Sequence, residues 1–311
     1  MKPPLKGRAI LIAGPTASGK SGLALRLAEQ LGGVVINADS MQVYRELRIL
    51  TARPAPEDEA RAPHALYGFV GGAQAYSAGR YAADAARAID EAHRGALVPI
   101  VVGGTGLYFK VLLEGLSPVP SIEPDVRAFW RGQAAARPAA ELHAILRARD
   151  AEMAARLMPT DRQRIVRALE VLESTGRSLA DWQRRPGKPV LAESETVRLL
   201  TLPDRTMLAT VIGARFDAML AAGALEEVRS LLAQGLSGEL PVMRALGVAP
   251  LAAHLAGATS LEAAVAAGKA ETRQYAKRQL TWLGRNMKSW KSLDTQQMKR
   301  IEARDFSFSE V

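Results

Sequence analysis

The chain has 311 residues, enough for one large domain or two small ones with a sizeable core either way. Hydrophobic residues make up 48% and charged residues 23%, an ordinary balance for a globular enzyme, and no apolar run approaches the roughly 20 residues that span a bilayer. Cysteine is absent, which excludes disulfides and thiolate-held zinc or iron–sulfur centres, and His64, His93, His143 and His254 are scattered without metal-ligand spacing. The net charge of +9 favours polyanionic partners, although the same Arg-rich composition reads equally as the imprint of a GC-rich genome. The segment from Met1 to Lys6 has neither the apolar stretch nor the cleavage site of a secretory signal, so a soluble cytoplasmic protein is expected.

In chain order, Ala9–Ala13 is a short apolar run that ends at a glycine, as a buried parallel strand does. Leu23, Leu27, Ala28 and Leu31 then fall at helical spacing, and Gly32-Gly33 stops that helix. Val34–Ala38 reads as a second buried strand leading into Asp39-Ser40. A helix over about Ala78–His93 precedes a third strand, Leu97–Val102, which ends in Gly103-Gly104-Thr105-Gly106. This alternation predicts an α/β fold, a parallel sheet with helices on both faces whose functional loops leave the carboxyl ends of the strands. Pro118, Pro120 and Pro124 mark a break, after which a helical, Arg-rich stretch runs to Pro189. The expected organisation is a core of residues 1–120 and 190–311 with a helical insertion domain over 121–189. Val197–Leu202 is expected to return to the sheet, the remainder to about Trp290 to be helical and basic, and the residues from about Asp294 to form a loosely held tail.

Gly14-Pro15-Thr16-Ala17-Ser18-Gly19-Lys20-Ser21 fits the P-loop pattern residue for residue. Its glycines let successive N–H groups point at phosphate oxygens, Lys20 adds a cation, and the helix that follows presents its positive end to an anion. Ser21 is the residue that ordinarily holds Mg²⁺ in such a loop. Asp39, leaving the second strand, is expected across the strand ends from the P-loop, where a carboxylate can accept a proton or bind Mg²⁺ through water. Thr105 offers a hydroxyl to a phosphate or leaving group. Arg215 lies on a helix, where taken singly it reads as a solvated or salt-bridged residue. At this level a kinase, an NTPase and a transferase all remain open.

Taken together, GPTASGKS (14–21), NADSMQVY (37–44), TARP (51–54), GGTGLY (103–108), DRQRIVRALEV (161–171), MRALG (243–247) and TRQYAKRQLTWLGRN (272–286) resemble the tRNA dimethylallyltransferase, or tRNA isopentenyltransferase, family in its compact bacterial form. The resemblance covers nearly the whole chain in family order. It implies a P-loop NTPase-like core that transfers a dimethylallyl group from dimethylallyl diphosphate to N6 of adenosine 37, in tRNAs reading codons that begin with U. The P-loop, Gly14 to Ser21, would then cradle the isoprenoid diphosphate with Mg²⁺ near Ser21. Asp39 would be the general base, and Thr105 and Arg215 would steady the departing diphosphate. The adenine must be flipped out of its stack. Asp39, Ser40, Met41 and Gln42 match the stretch that receives it, with Gln42 able to hydrogen-bond an adenine edge.

By the same resemblance, Gln163, Arg164, Ile165, Val166 and Arg167 in the insertion contact the tRNA anticodon stem-loop. Thr105, Arg127, Arg244, Lys277, Arg278, Gln279 and Trp282 match further RNA contacts. No membrane or protein partner is implied. The sequence departs from many members at Val248, where a tyrosine is common, which leaves no aromatic ring for stacking there. Three rivals stay open: an adenylate isopentenyltransferase acting on free AMP or ATP, a small-molecule P-loop kinase, and an RNA-binding protein with a vestigial loop. The Arg-rich insertion and basic C-terminal helix argue against the first, and the intact Lys20 and Ser21 against the last.

Overall fold

A computed structural model describes residues 8–302 and Asp305. The chain forms two compact units, one from residues 1–113 with 190–311 and the other from Glu114–Pro189.

The larger unit is built on strands β1 (Ala9–Ala13), β2 (Gly33–Asn37), β3 (His64–Ala65), β4 (Val98–Gly103), β5 (Thr196–Thr201) and β6 (Lys291–Leu293). All pair in parallel, in the order β3-β2-β4-β1-β5-β6. β1 is buried along its whole length and its side chains alternate between two cores. Ala9, Leu11 and Ala13 pack towards helix α3 (Ala78–Arg94) and helix α4 (Gly106–Glu114), while Ile10 and Ile12 pack towards helix α1 (Lys20–Leu31). Helices therefore cover both faces, as the apolar strands require. Because β4 lies between β1 and β2, the loops leaving all three open side by side at one edge of the sheet. This is the crevice at which parallel α/β sheets bind ligands.

Helix α2 (Pro56–Arg61) precedes the short edge strand β3, and the five helices that follow α4 belong to the smaller unit. After β5 come α10 (Arg205–Ala221), α11 (Ala224–Leu232), α12 (Val248–Leu255), α13 (Leu261–Asn286) and α14 (Thr295–Arg300). Phe216 of α10 anchors a third core with Val228, Leu231 and Leu251, and Val43, Tyr44 and Leu47 from the loop after β2 join it. Val248 is buried in this core at the start of α12, so the position serves packing. α14 occupies the start of the loose tail expected from Asp294, and residues 303–304 and 306–311 of that tail lie outside the described residues. Asp294 caps α14 with a reciprocal bond from Gln297, and Met298 and Ile301 pack into the core beside α1.

The smaller unit holds α5 (Pro124–Ala136), α6 (Ala139–Arg149), α7 (Ala151–Ala155), α8 (Arg162–Thr175) and α9 (Leu179–Gln183) around Trp130, Leu142, Leu146, Ile165 and Leu169. It begins at Glu114 rather than at 121, because the extended segment before α5 supplies Val119 and Ile122 to this core. Among the described residues no single helix is long and apolar enough to cross a membrane.

Candidate active site

The P-loop joins β1 to α1. Gly19 caps the helix at φ +84° and Ala17 is held at φ +62°, a conformation that costs a side-chain-bearing residue energy and persists where surroundings enforce it. Several loop groups shape the turn and do not face a ligand. The Gly14 N–H donates to Gly103 (3.2 Å), the Ser18 N–H to Pro15 (3.3 Å) and the Thr16 N–H to the Gln279 side chain (2.9 Å). The Ser18 side chain is buried and accepts from Thr201 at 2.7 Å. Lys20 folds back so that its ammonium donates to the Pro15 carbonyl at 3.0 Å. The amides at Lys20 and Ser21 begin α1 and have no intrahelical acceptor, so this end of the loop carries the anion-binding capacity.

Asp39 is placed by a buried asparagine. Asn37 accepts the Asp39 N–H at 2.8 Å and donates to the carbonyls of Asp39 and Leu66, both at 3.0 Å. Asp39 Oδ1 then accepts the Met41 N–H at 2.9 Å, which leaves Oδ2 outside the turn. Thr105 at the end of β4 locks onto the same segment: its hydroxyl accepts the Ser40 N–H (3.0 Å) and donates to the Ser40 hydroxyl (3.3 Å).

Lys20, Asp39 and Arg215 form one electrostatic group. Burial pushes the Lys20 ammonium down to about 8, the Asp39 carboxylate opposing the shift and Arg215 adding to it. Burial also lowers Arg215, again opposed by Asp39. Three tyrosines surround the carboxylate: Tyr67, Tyr108 and Tyr275 are each raised by burial first and by Asp39 second. A cleft of about 250 Å³ opens over Lys20, Ser21 and Arg215, with Arg53, Arg61, Asp58, His64 and Tyr67 in its walls. Such a cleft suits a compact polyanion with a carboxylate at its edge.

Helix α13 closes the other side. Tyr275, Gln279 and Trp282 lie at i, i+4 and i+7 and so share one face. The Tyr275 hydroxyl sits beside Thr105, Gln279 bonds both Thr16 and Gly104, and the Trp282 ring covers Gly106 so closely that a Cβ there would fall 2.1 Å from it. Lys277 is exposed on the opposite face, and the exposed Arg278 lies over the Tyr275 ring at 5.6 Å. Lys277, Arg278, Arg273 and Arg285 have no acidic partner among the described residues, whereas Lys269 is paired with Asp217 at 2.7 Å. The cationic stripe on α13 is thus available to a polyanion.

Other expected contacts are placed differently. Gln279, read as an RNA contact, is buried with both ends of its amide spent inside the protein. Ile165 and Val166 lie in the core of the smaller unit, since the helical turn that exposes Gln163 and Arg164 must turn its next residues inward. Arg167 pairs with the buried Glu170 (3.6 Å) and Arg164 with Asp161 (3.4 Å), while Arg127 is exposed. Arg244 pairs with Glu239 at 2.6 Å. Gln42 donates its amide to Thr51 and Ala52 (2.8 and 2.9 Å), so its NH₂ braces the loop and only its carbonyl oxygen is left for an adenine edge. Met41 packs against the third core.

Asn37, Tyr108, Arg53 and Tyr275 stand within segments the sequence singles out, but nothing local marks them as lining the site. Tyr67 carries no such signal.

The sequence matches the family described as IPP transferase over residues 42–287, and the one described as isopentenyl transferase over 7–64. The chain belongs to the IPP transferase family. It is 52% identical to a tRNA dimethylallyltransferase of Parvibaculum lavamentivorans, the match covering 97% of this chain and 96% of that one. A second, from Methylobacterium nodulans, is 56% identical across 95% and 98%. Among solved structures, the tRNA isopentenylpyrophosphate transferase of Bacillus halodurans superposes with a TM-score of 0.66 at 31% identity, covering 93% of this chain and 90% of that one. A eukaryotic dimethylallyltransferase acting on tRNA gives 0.81 at 28%, covering 96% and 76%. These likenesses span both the P-loop core and the inserted helices, unlike a resemblance confined to the P-loop.

Proposed function

We propose that this chain transfers the dimethylallyl group of dimethylallyl diphosphate to N6 of adenosine 37 in tRNAs that read codons beginning with U, releasing diphosphate. The observation that carries this reading is the electrostatic coupling of Asp39 to Lys20 and Arg215, the two cations that line one cleft, in a member of this family. A diphosphate held at the start of α1 leaves with the electron pair of the breaking C1–O bond. Lys20 and Arg215 meet the charge that gathers on the departing oxygens. The lone pair of N6 forms the new C–N bond, and its surplus proton passes to the Asp39 carboxylate. Thr105, fixed by Ser40, offers its hydroxyl beside that carboxylate. The target base reaches the cleft only when turned out of the anticodon loop. Lys277 and Arg278 on α13, and Arg127 and Gln163 on the smaller unit, suit the RNA backbone.

Mg²⁺ fits the donors present. Among the described residues no three His, Asp or Glu side chains gather as a metal cluster, so the ion would rest on the Ser21 hydroxyl, substrate phosphate oxygens and water, as Mg²⁺ commonly does. When bound it supplies charge neutralisation to the diphosphate.

The test is to incubate the protein with labelled dimethylallyl diphosphate and either unmodified tRNA or AMP. Label should enter tRNA alone. Label in AMP alone, or consumption of ATP with no transfer to either acceptor, would overturn the reading in favour of a free-nucleotide transferase or a kinase.

A further inference from the structure

We infer that Gln279 is a positioning residue for the transfer: its amide ties the diphosphate loop to the loop that presents Thr105, holding the two in register. The inference rests on the reading of the site given above.

The geometry is specific. Gln279 Oε1 accepts the Thr16 N–H at 2.9 Å and its Nε2 donates to the Gly104 carbonyl at 2.9 Å. One planar side chain thus spans the exits of β1 and β4, from a helix more than 170 residues away in sequence from either loop. The side chain is 6% exposed, so neither bond competes with water. Room for it exists only because residue 104 is glycine: a Cβ there would fall 2.2 Å from Gln279 Nε2. The two bonded residues are also chosen by function. Thr16 directly precedes Ala17, the strained residue of the P-loop, and engaging its N–H sets the turn from which the amides of Lys20 and Ser21 emerge. Gly104 directly precedes Thr105, whose hydroxyl holds Ser40 beside Asp39. Gln279 therefore acts on the leaving-group side and the proton-acceptor side at once, through the backbone, without touching either substrate.

Apolar replacement separates this role from packing. Gln279→Met keeps the volume and removes both hydrogen bonds, and Gln279→Ala removes the volume as well. For Gln279→Met, the KM for dimethylallyl diphosphate should rise and kcat should fall, each by about tenfold, since misplacement of reacting groups costs up to about 100-fold in rate. The Kd for tRNA should stay within about twofold. Binding of inorganic diphosphate, measured by calorimetry well below the unfolding temperature, should weaken by a similar factor of about ten. A purely structural role would lower the melting temperature and the active fraction but leave KM and the diphosphate Kd in place. That pattern overturns the inference, as does wild-type kinetics in Gln279→Met. If Gln279→Ala fails to fold, Gln279→Met still decides. A wild-type protein that binds diphosphate yet transfers nothing to tRNA defeats the functional reading instead, and the diphosphate Kd of the variants then still tests the clamp.

Discussion

Two loops make the two walls of the site, and they are built by opposite means. The P-loop is held mainly by local backbone geometry, with positive φ at Ala17 and Gly19 and a bond from Ser18 to Pro15 three residues back, and is reached from elsewhere in the chain by Thr201 and Gln279. The stretch from Asp39 to Ala52 contains no such turn signature at its start and is held by side chains. Asn37 fixes Asp39, Gln42 braces the carbonyls of Thr51 and Ala52, and Thr105 fixes Ser40. Glu227 of α11 accepts three consecutive amides, from Arg48 (2.6 Å), Ile49 (2.8 Å) and Leu50 (2.9 Å). A wall made of backbone fails chiefly when its own glycines or lysine change, and is reached from afar only through single side chains such as Gln279. A wall made of side chains can be damaged from far away. Each prediction that follows attacks one wall.

The largest effect is expected at Asp39. Asparagine keeps an oxygen for the Met41 N–H, so the turn survives, but it cannot take the N6 proton. Asp39→Asn should lower kcat by about 10²–10⁴, the usual worth of general base catalysis, with tRNA affinity within about twofold. Single-turnover rates and filter binding measure the two quantities. If kcat stays near wild type, the proton goes elsewhere.

On the opposite wall, Lys20 gives a pH signature. Its ammonium is pushed down to about 8 by burial, against the pull of Asp39. A bound diphosphate favours the charged form, so binding above that value requires proton uptake. Diphosphate affinity should therefore be insensitive to this group below pH 8 and weaken above it, by at most about tenfold per pH unit, or about 1.4 kcal/mol. Lys20→Arg stays protonated throughout and should abolish this break whatever its absolute affinity. Titration calorimetry from pH 7 to 9.5 on both proteins compares slopes, and the ligand's own protonation cancels between them. Parallel slopes would place the titrating group outside the P-loop.

The contrast between walls also explains what could be read in advance. The P-loop, the alternation of β1, β2, β4 and β5 with helices, and the helical insertion follow from periodicity and from residues close in sequence. β3 and β6 escape that reading because two or three residues at a sheet edge carry no usable period. α14 escaped it although its capping box, Asp294 with Gln297, was present to be read. Asp39, Thr105 and Arg215 were named from segments far apart in sequence, and the structure brings Asp39 to Thr105 through Ser40 and to Arg215 through charge. Gln279 and Glu227 were beyond reach: what each does depends on loops some 180 residues or more away. The same distance misassigned Gln279 to RNA, because a polar residue on a basic helix looks exposed until the helix is docked.

Glu227→Ala should show that remote dependence. It strips three amides of their acceptor, at a cost of about 1–3 kcal/mol where they are not rehydrated. The urea midpoint should fall, and exchange protection at Arg48 to Leu50 should be lost. A loss in kcat of less than about tenfold should accompany this, because Asn37 and Thr105 still hold Asp39. An unchanged exchange rate at those amides would show that the loop is held by packing alone.

The smallest effect distinguishes free from neutralised cations. Among the described residues Lys277 has no acidic partner, whereas Arg244 is already bonded to Glu239 at 2.6 Å. If both contact RNA phosphates, only Lys277 releases a full counterion when it binds, because Arg244 must first give up its carboxylate. Lys277→Ala should weaken tRNA binding by only a few-fold near physiological salt and reduce the slope of log K against log salt by about one. Arg244→Ala should change that slope by less, and Glu239→Gln should restore a slope change to a subsequent Arg244→Ala. Equal slopes for all of these variants would move the RNA away from α13, and the basic face opposite Gln279 would then need another partner.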